Sequence, residues 1–376
     1  MRSKLAAAVG AVVTVAMVLA PAAPAAPAVA KGPPVDLEFL GQAIVPTGTT
    51  YRGTTVGGLS SITYDAERNV FYAVSDDPSQ FQPARFYTVG LNLNDGRLAD
   101  GDVRFEAVTT LLAPDGRPYA PFSLDPEGLA LTKDRQLIFT SEGFPNRLID
   151  PFVRRYSLNG SFLGSLPVPQ PFLPTADHSS GIRPNLAFES AGVPQNGRFA
   201  FTATENALYQ DGPPATVFNG SPARILRYNL QTGRLDRQWV YETDRVARPP
   251  VPASQFSVNG LVELLPLNNE FLIAMERSFS VGAPGTGNSI KLYKVALPGA
   301  TNVNGVDSLQ GGLDRVRPAQ KTLLLDLDEL GIPLDNVEGM TFGPRLPDGR
   351  RSVVLVSDNN FAASQFSQFL LFALEK

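Results

Sequence analysis

Five times along the chain, a short apolar strand is followed by a polar turn, a second apolar strand, a small or apolar residue and then an acid. The copies occupy 58–77, 125–143, 185–206, 258–278 and 336–360. Their second strands read F-Y-A-V-S-D, L-I-F-T-S-E, F-A-F-T-A-T-E, F-L-I-A-M-E and V-V-L-V-S-D, apolar runs of strand length bounded by turn residues. The hairpin tips are Glu67-Arg68-Asn69, Lys133-Asp134-Arg135, Gln195-Asn196-Gly197, Asn268-Asn269 and Pro347-Asp348-Gly349. A third strand follows each hairpin, at 86–93, 153–158, 225–230, 290–295 and 369–374, and outer strands are expected at 103–111, 162–168, 237–242 and 322–327. Four strands per repeat predicts an all-β fold, a β-propeller of four-stranded blades. The repeat count gives five blades, and the uneven connections leave room for a sixth. The last repeat lacks an outer strand, while 36–45 is a strand with no repeat of its own. Pairing the two closes the ring and removes the open sheet edge. A two-sheet sandwich is the rival, but it leaves the repetition without a cause.

Antiparallel pairing brings the first residues of one strand beside the last residues of its partner. The expected pairs are Glu127 with Glu142, Glu189 with Glu205, Glu338 with Asp358, Asn259 with Glu276, and Ser60 or Ser61 with Asp76. Five such ends place about eight acids around one mouth of the central channel. Two carboxylates about 5 Å apart repel by roughly 3 kcal/mol at an effective dielectric of 20, so a counterweight is required. It is supplied by arginines such as Arg183 and Arg277, by shared protons, or by a hard cation.

Composition narrows the choice. With no cysteine and a single histidine, His178, the chain has no thiolate or His-rich metal site, and an oxygen-only donor set matches calcium best, magnesium or manganese second. His178, alone in a long loop, reads as solvated rather than catalytic. Residues 1–30 read as a signal peptide: Arg2 and Lys4, an apolar run over 5–19, then Ala28-Val29-Ala30 as a cleavage site near Ala30. Pro21, Pro24 and Pro27 follow too soon for a membrane span. The mature chain, 31–376, is expected as one secreted or periplasmic domain, monomeric and without membrane insertion. It keeps 30 basic against 36 acidic residues, a net charge of −6, which makes nucleic acid a poor partner.

D-P-E-G-L at 125–129 with S-E-G at 141–143, G-I-R-P-N-L-A-F-E at 181–189 with T-E-N at 204–206, M-E-R at 275–277, and N-V-E-G-M with S-D-N-N-F at 357–361 are similar to the phytase-like family of exported bacterial proteins described as having esterase-like activity. The resemblance covers the mature chain in order. It implies a propeller with acid-rich repeats and hydrolase activity on phosphoesters or phosphodiesters. The chain departs from the glutamate-glycine pattern at Asn259, and at Ser60 and Ser61.

Neither a G-x-S-x-G elbow, an R-H-G motif, a P-loop nor a dinucleotide fingerprint occurs. What remains is metal-assisted attack of water on a small anionic ester. The expected roles are Glu127, Glu189 and Glu338 as catalytic acids lining the channel. Asp76, Glu142, Glu205, Glu276 and Asp358 are expected to hold the divalent cation, and Arg183, Asn185 and Arg277 the substrate. A non-catalytic propeller that binds calcium or a ligand is the alternative.

Overall fold

A computed structural model describes residues 32–375; the expected signal peptide lies outside them. Five sheets form a five-bladed propeller. Blade one comprises Leu59–Asp65, Val70–Ser75, Arg85–Leu91 and Val103–Thr110; blade two comprises Pro126–Leu131, Leu137–Ser141, Phe152–Tyr156 and Phe162–Leu166. Blade three has Phe199–Ala203, Pro222–Asn229 and Arg234–Glu242, with residues 187–192 in the innermost position, bridged only at Phe188–Thr204 and Gly192–Phe201. Blade four comprises Ser257–Pro266, Phe271–Ser280, Asn288–Ala296 and Gln320–Asp326. Blade five is built from Asn336–Arg345, Arg351–Asp358 and Ser367–Leu374, and Leu37–Val45 completes it as outer strand, paired from Leu37 opposite Leu374 to Val45 opposite Ser367 with a bulge between Phe39 and Gly41. The expected closure by the N-terminal strand is therefore present, and the five-blade count holds. Among the described residues the helices are single 3-10 turns, and no helix is long and apolar enough to cross a membrane.

The second strand of each blade is largely apolar because both its faces are buried. In Val70–Ser75, Phe71 and Ala73 enter a cluster shared with Val354, Phe369 and Leu371 of blade five, whereas Val70, Tyr72 and Val74 enter one shared with Leu129, Leu137 and Phe139 of blade two. Similar layers join blades two and three, three and four, and four and five. Alternation along a strand thus becomes alternation between two neighbouring blades.

The glycine after the inner glutamate lets adjacent inner strands approach. A Cβ on Gly128 would lie 2.5 Å from the Ser190 carbonyl carbon, and one on Gly339 2.8 Å from Ser61 Cα. The ladder bulges at the same place, between Pro126 and Leu129 and between Val337 and Gly339, so that Glu127 and Glu338 leave the regular pleat.

Candidate active site

The inner strands begin, and the second strands end, on one face, and there a cavity of about 900 Å³ opens. Asp76 of blade one, Asp125, Glu127 and Glu142 of blade two, Glu189 and Glu205 of blade three, and Asp335, Glu338 and Asp358 of blade five all line it. Arg277 and Asn185 line it too.

Local backbone geometry sets each acid in place. Asp76 N–H donates to Gly58 O at 2.7 Å, and Gly58, at φ +63°, leaves no room for a side chain, since a Cβ would fall 1.9 Å from Asp76 Oδ1. Glu142 N–H donates to Asp125 O at 3.0 Å, so Asp125 rather than Glu127 lies directly across the hairpin from Glu142. The bulge still returns Glu127 to the group: one oxygen each of Asp125, Glu127 and Glu142 lie within 4.8 Å of one another. A second group, Glu142, Glu189 and Glu205, meets the same criterion and shares Glu142 with the first. The Ala187 N–H also donates to Glu142 Oε1. In blade five, Asn336 Nδ2 bridges Glu338 Oε1 at 2.9 Å and Asp358 Oδ2 at 3.3 Å.

Burial and mutual repulsion raise these acids. Desolvation is the main cause throughout: it lifts Asp125 and Glu205 to about 7 and Asp358 to about 8, and holds Asp76, Glu127, Glu142 and Glu189 well above the ordinary carboxylate range. Glu338 is raised by burial against an opposing pull from Arg277. Arg277 Nη2 lies 2.8 Å from Glu338 Oε1 and 3.6 Å from Glu205 Oε1.

Two expected site residues are turned elsewhere. Glu276 leaves the central ring because the Tyr241 hydroxyl at 2.7 Å, the Asp244 N–H at 2.8 Å, Asn259 Nδ2 at 2.9 Å and Lys321 Nζ at 2.5 Å all bind it; it lines a separate cavity with Asp244, Asn259 and Lys291. Arg183 is consumed by main-chain oxygens, with Nε donating to Ala207 O at 3.0 Å and Nη2 to Gly212 O at 2.7 Å, while its guanidinium stacks on the Tyr209 ring. His178 is exposed and meets Tyr209. Asp125, Asp335 and Asn336 were not anticipated in the cavity wall, although each stands two or three residues before an inner glutamate and was legible as D-P-E and D-N-V-E.

The buried acids suit a metal ion. All donors are oxygens, two groups share a ligand, and Glu205 Oε1 is buried with no hydrogen-bond partner. Fold and site define an acid-mouthed five-bladed propeller. The chain belongs to the phytase-like family, described as esterase-like activity of phytase, whose model matches residues 54–361. No curated protein matches it. Among solved structures, it is similar to an endo-arabinase from Bacteroides thetaiotaomicron VPI-5482, at 12% identity and a TM-score of 0.43 over 90% of this chain and 98% of that one. The Pseudomonas aeruginosa periplasmic gluconolactonase matches at 12% identity and a TM-score of 0.34, over 90% and 96% of the two chains.

Proposed function

We propose that the protein is an exported, divalent-cation-dependent hydrolase of phosphate monoesters or diesters, working as a monomer on a small anionic ester at the acid-lined mouth. The observation that carries this reading is the pair of three-carboxylate groups that share Glu142. Calcium is the best match to an all-oxygen donor set, and the oxygens of each group lie within 4.8 Å of one another, close enough to share one ion. Asp125, Glu127, Glu142, Glu189 and Glu205 would hold it. When bound, such an ion polarises the phosphoryl oxygen and acidifies water.

The chain's own groups supply the proton transfers. Glu338 receives hydrogen bonds from Arg277 and Asn336, donors that favour its charged form, and so serves as the base that takes the proton of the attacking water. As the water oxygen bonds to phosphorus, the bond from phosphorus to the leaving oxygen breaks. Asp358, at about 8, is protonated at neutral pH and returns a proton to that oxygen. Arg277 lines the same cavity and is the guanidinium placed to hold a phosphoryl oxygen.

The test is turnover of generic phosphomonoesters, phosphodiesters and carboxyl esters by the purified protein, with calcium and with chelator. Calcium-dependent phosphoester cleavage, lost in a Glu127→Gln, Glu189→Gln double variant, is expected. Calcium binding without turnover of any ester would instead mean a propeller that binds without catalysing.

A further inference from the structure

The cavity has two unlike walls. Acids fill the sector formed by blades one, two and five, with Glu189 and Glu205 at its border. Across from them, on blades three and four, Pro184, Leu186, Pro214, Phe256, Val258 and Phe279 add apolar surface, interspersed with neutral Asn185, Thr286 and Asn288. Val258 and Phe279 face each other in the ladder of blade four, and the Phe256 and Phe279 rings lie 6.3 Å apart at 41°. Phe256 is 62% exposed at the rim. Large exposed aromatic surface is costly unless something covers it, and here it is continuous with the acidic half of the same cavity. Arg183 has a part in building this wall: by binding Ala207 O and Gly212 O it ties the segment carrying Pro184 and Leu186 to the loop carrying Pro214.

Charge argues in the same direction. Among the described residues Arg277 is the one cationic side chain in the lining, and its Nη2 already serves Glu338 and Glu205. A second anionic group on the substrate would meet carboxylates, phenyl rings or neutral groups such as Asn185, Thr286 and Asn288, with no second cationic side chain in the lining among the described residues. Lys321 of blade four is bound to Asp244 and Glu276.

We infer that the substrate is amphiphilic, with one anionic phosphoryl group facing the acidic sector and an uncharged aromatic or aliphatic group against Phe256 and Phe279, and that polyphosphorylated molecules are rejected. This inference rests on the proposed hydrolase reading of the same cavity, but it is tested by binding alone. Three non-hydrolysable probes, methylphosphonate, phenylphosphonate and 4-carboxyphenylphosphonate, are titrated into the calcium-equilibrated protein by calorimetry. Phenylphosphonate should bind at least about tenfold more tightly than methylphosphonate, the increment a buried ring provides. The carboxylated ring should lose that advantage. In Phe256→Ala, whose fold is safeguarded by the exposure of the side chain and checked by an unchanged melting temperature, the gap should fall below about threefold. Equal affinities, a gap that survives in Phe256→Ala, tighter binding of the carboxylated probe, or no binding of any probe would each overturn the inference. A phenyl preference in a protein that turns over no ester would uphold it while removing the hydrolase reading; turnover without the preference would do the reverse.

Discussion

Arg277 of blade four donates from Nη2 to Glu338 Oε1 of blade five at 2.8 Å, and the two side chains are 13% and 9% exposed. The same guanidinium reaches Glu205 Oε1 of blade three at 3.6 Å, so one cation balances acids from the blades on either side. Removing one partner of a buried pair leaves the other charge uncompensated and costs about 3–5 kcal/mol. For Arg277→Ala the cost should depend on pH, because both acids are already raised by burial and rise further without the cation. A group raised in the folded state contributes stability in full below its unfolded pKa and loses it as pH rises through its folded value. The variant should therefore lose little at pH 5 and most at pH 8, as read by urea unfolding at the two pH values. An equal loss at both would refute the pairing as the cause.

The ring as a whole makes a second prediction. Asp125 and Glu205 titrate at about 7 and Asp358 at about 8, against unfolded values near 4, with desolvation the leading cause. The sign is the same as above: without metal, the contribution of these acids is complete below about pH 4 and is lost as pH rises through 7 to 8. A bound cation replaces the protons, so its stabilisation is greatest where they have left. Calcium should raise the melting temperature clearly at pH 8 and little at pH 5, and EDTA should reverse the effect at pH 8. A calcium increment that is larger at pH 5 would show that the acids are not its ligands.

Much of this was legible in the sequence, and the parts that were not have identifiable causes. The hairpins are local, and their second strands are buried on both faces, which makes 70–74 and 353–356 visible as unbroken apolar runs. The pairing of the acids followed from the hairpin alone only to within two residues: Asp125 and Asn336, not Glu127 and Glu338, lie opposite Glu142 and Asp358. Bulges at Glu127 and Glu338 add a one-residue register shift that no local signal announces. The capture of Glu276 by Tyr241 and Lys321, 35 and 45 residues away, is a contact between sheets and between distant strands, beyond the reach of strand pairing. Arg183 looked like an anion ligand because its sequence neighbours are in the cavity; its actual partners are carbonyls 24 and 29 residues on.

Between blades one and two, Asp65 and Arg135 form a bidentate pair at 2.7 and 3.0 Å, and the Tyr72 hydroxyl donates to the same carboxylate at 2.9 Å. Arg135 occupies the hairpin tip at φ +61°, a conformation that its side-chain bonds help to hold. Desolvation pushes Asp65 up, but the hydrogen bonds from Arg135 and Tyr72 outweigh it and leave the carboxyl below its ordinary value. The sign here is opposite to that of the ring: the contribution is present above about pH 4 and is lost as pH falls through the depressed folded value. Asp65→Asn should therefore be less stable than the parent by about 2–3 kcal/mol at pH 7, with the difference closing below about pH 3. Thermal unfolding across that range reads it directly, and a difference that persists at the lowest pH would point to packing instead.

Glu263 is the acid that the repeats did not foretell, a lone charge in the apolar inner strand V-N-G-L-V-E-L-L-P of blade four. It does not line the central cavity, and it is 1% exposed. Its Oε2 accepts from Ser61 Oγ of blade one at 2.8 Å and its Oε1 from the Leu264 N–H at 2.9 Å, while the main-chain N–H groups of Ala191 in blade three and Met340 in blade five also bond to it. Burial pushes its carboxyl well above the usual range, against the pull of those donors. One side chain thus joins four blades across the axis, where an empty channel would leave their inner-strand donors unsatisfied. Glu263→Ala should cost about 3–5 kcal/mol, since it opens a void and strands several donors at once. Glu263→Gln keeps the volume and one acceptor oxygen and should cost about 1–2 kcal/mol. Urea unfolding of both variants checks the order, and any calcium-induced rise in melting temperature should be unchanged in the Gln variant, because Glu263 does not line the cavity whose acids would hold the cation. An Ala variant within about 1 kcal/mol of the parent would mean that water or a neighbouring side chain takes over the four donors, and that the blades hold their spacing without this carboxylate.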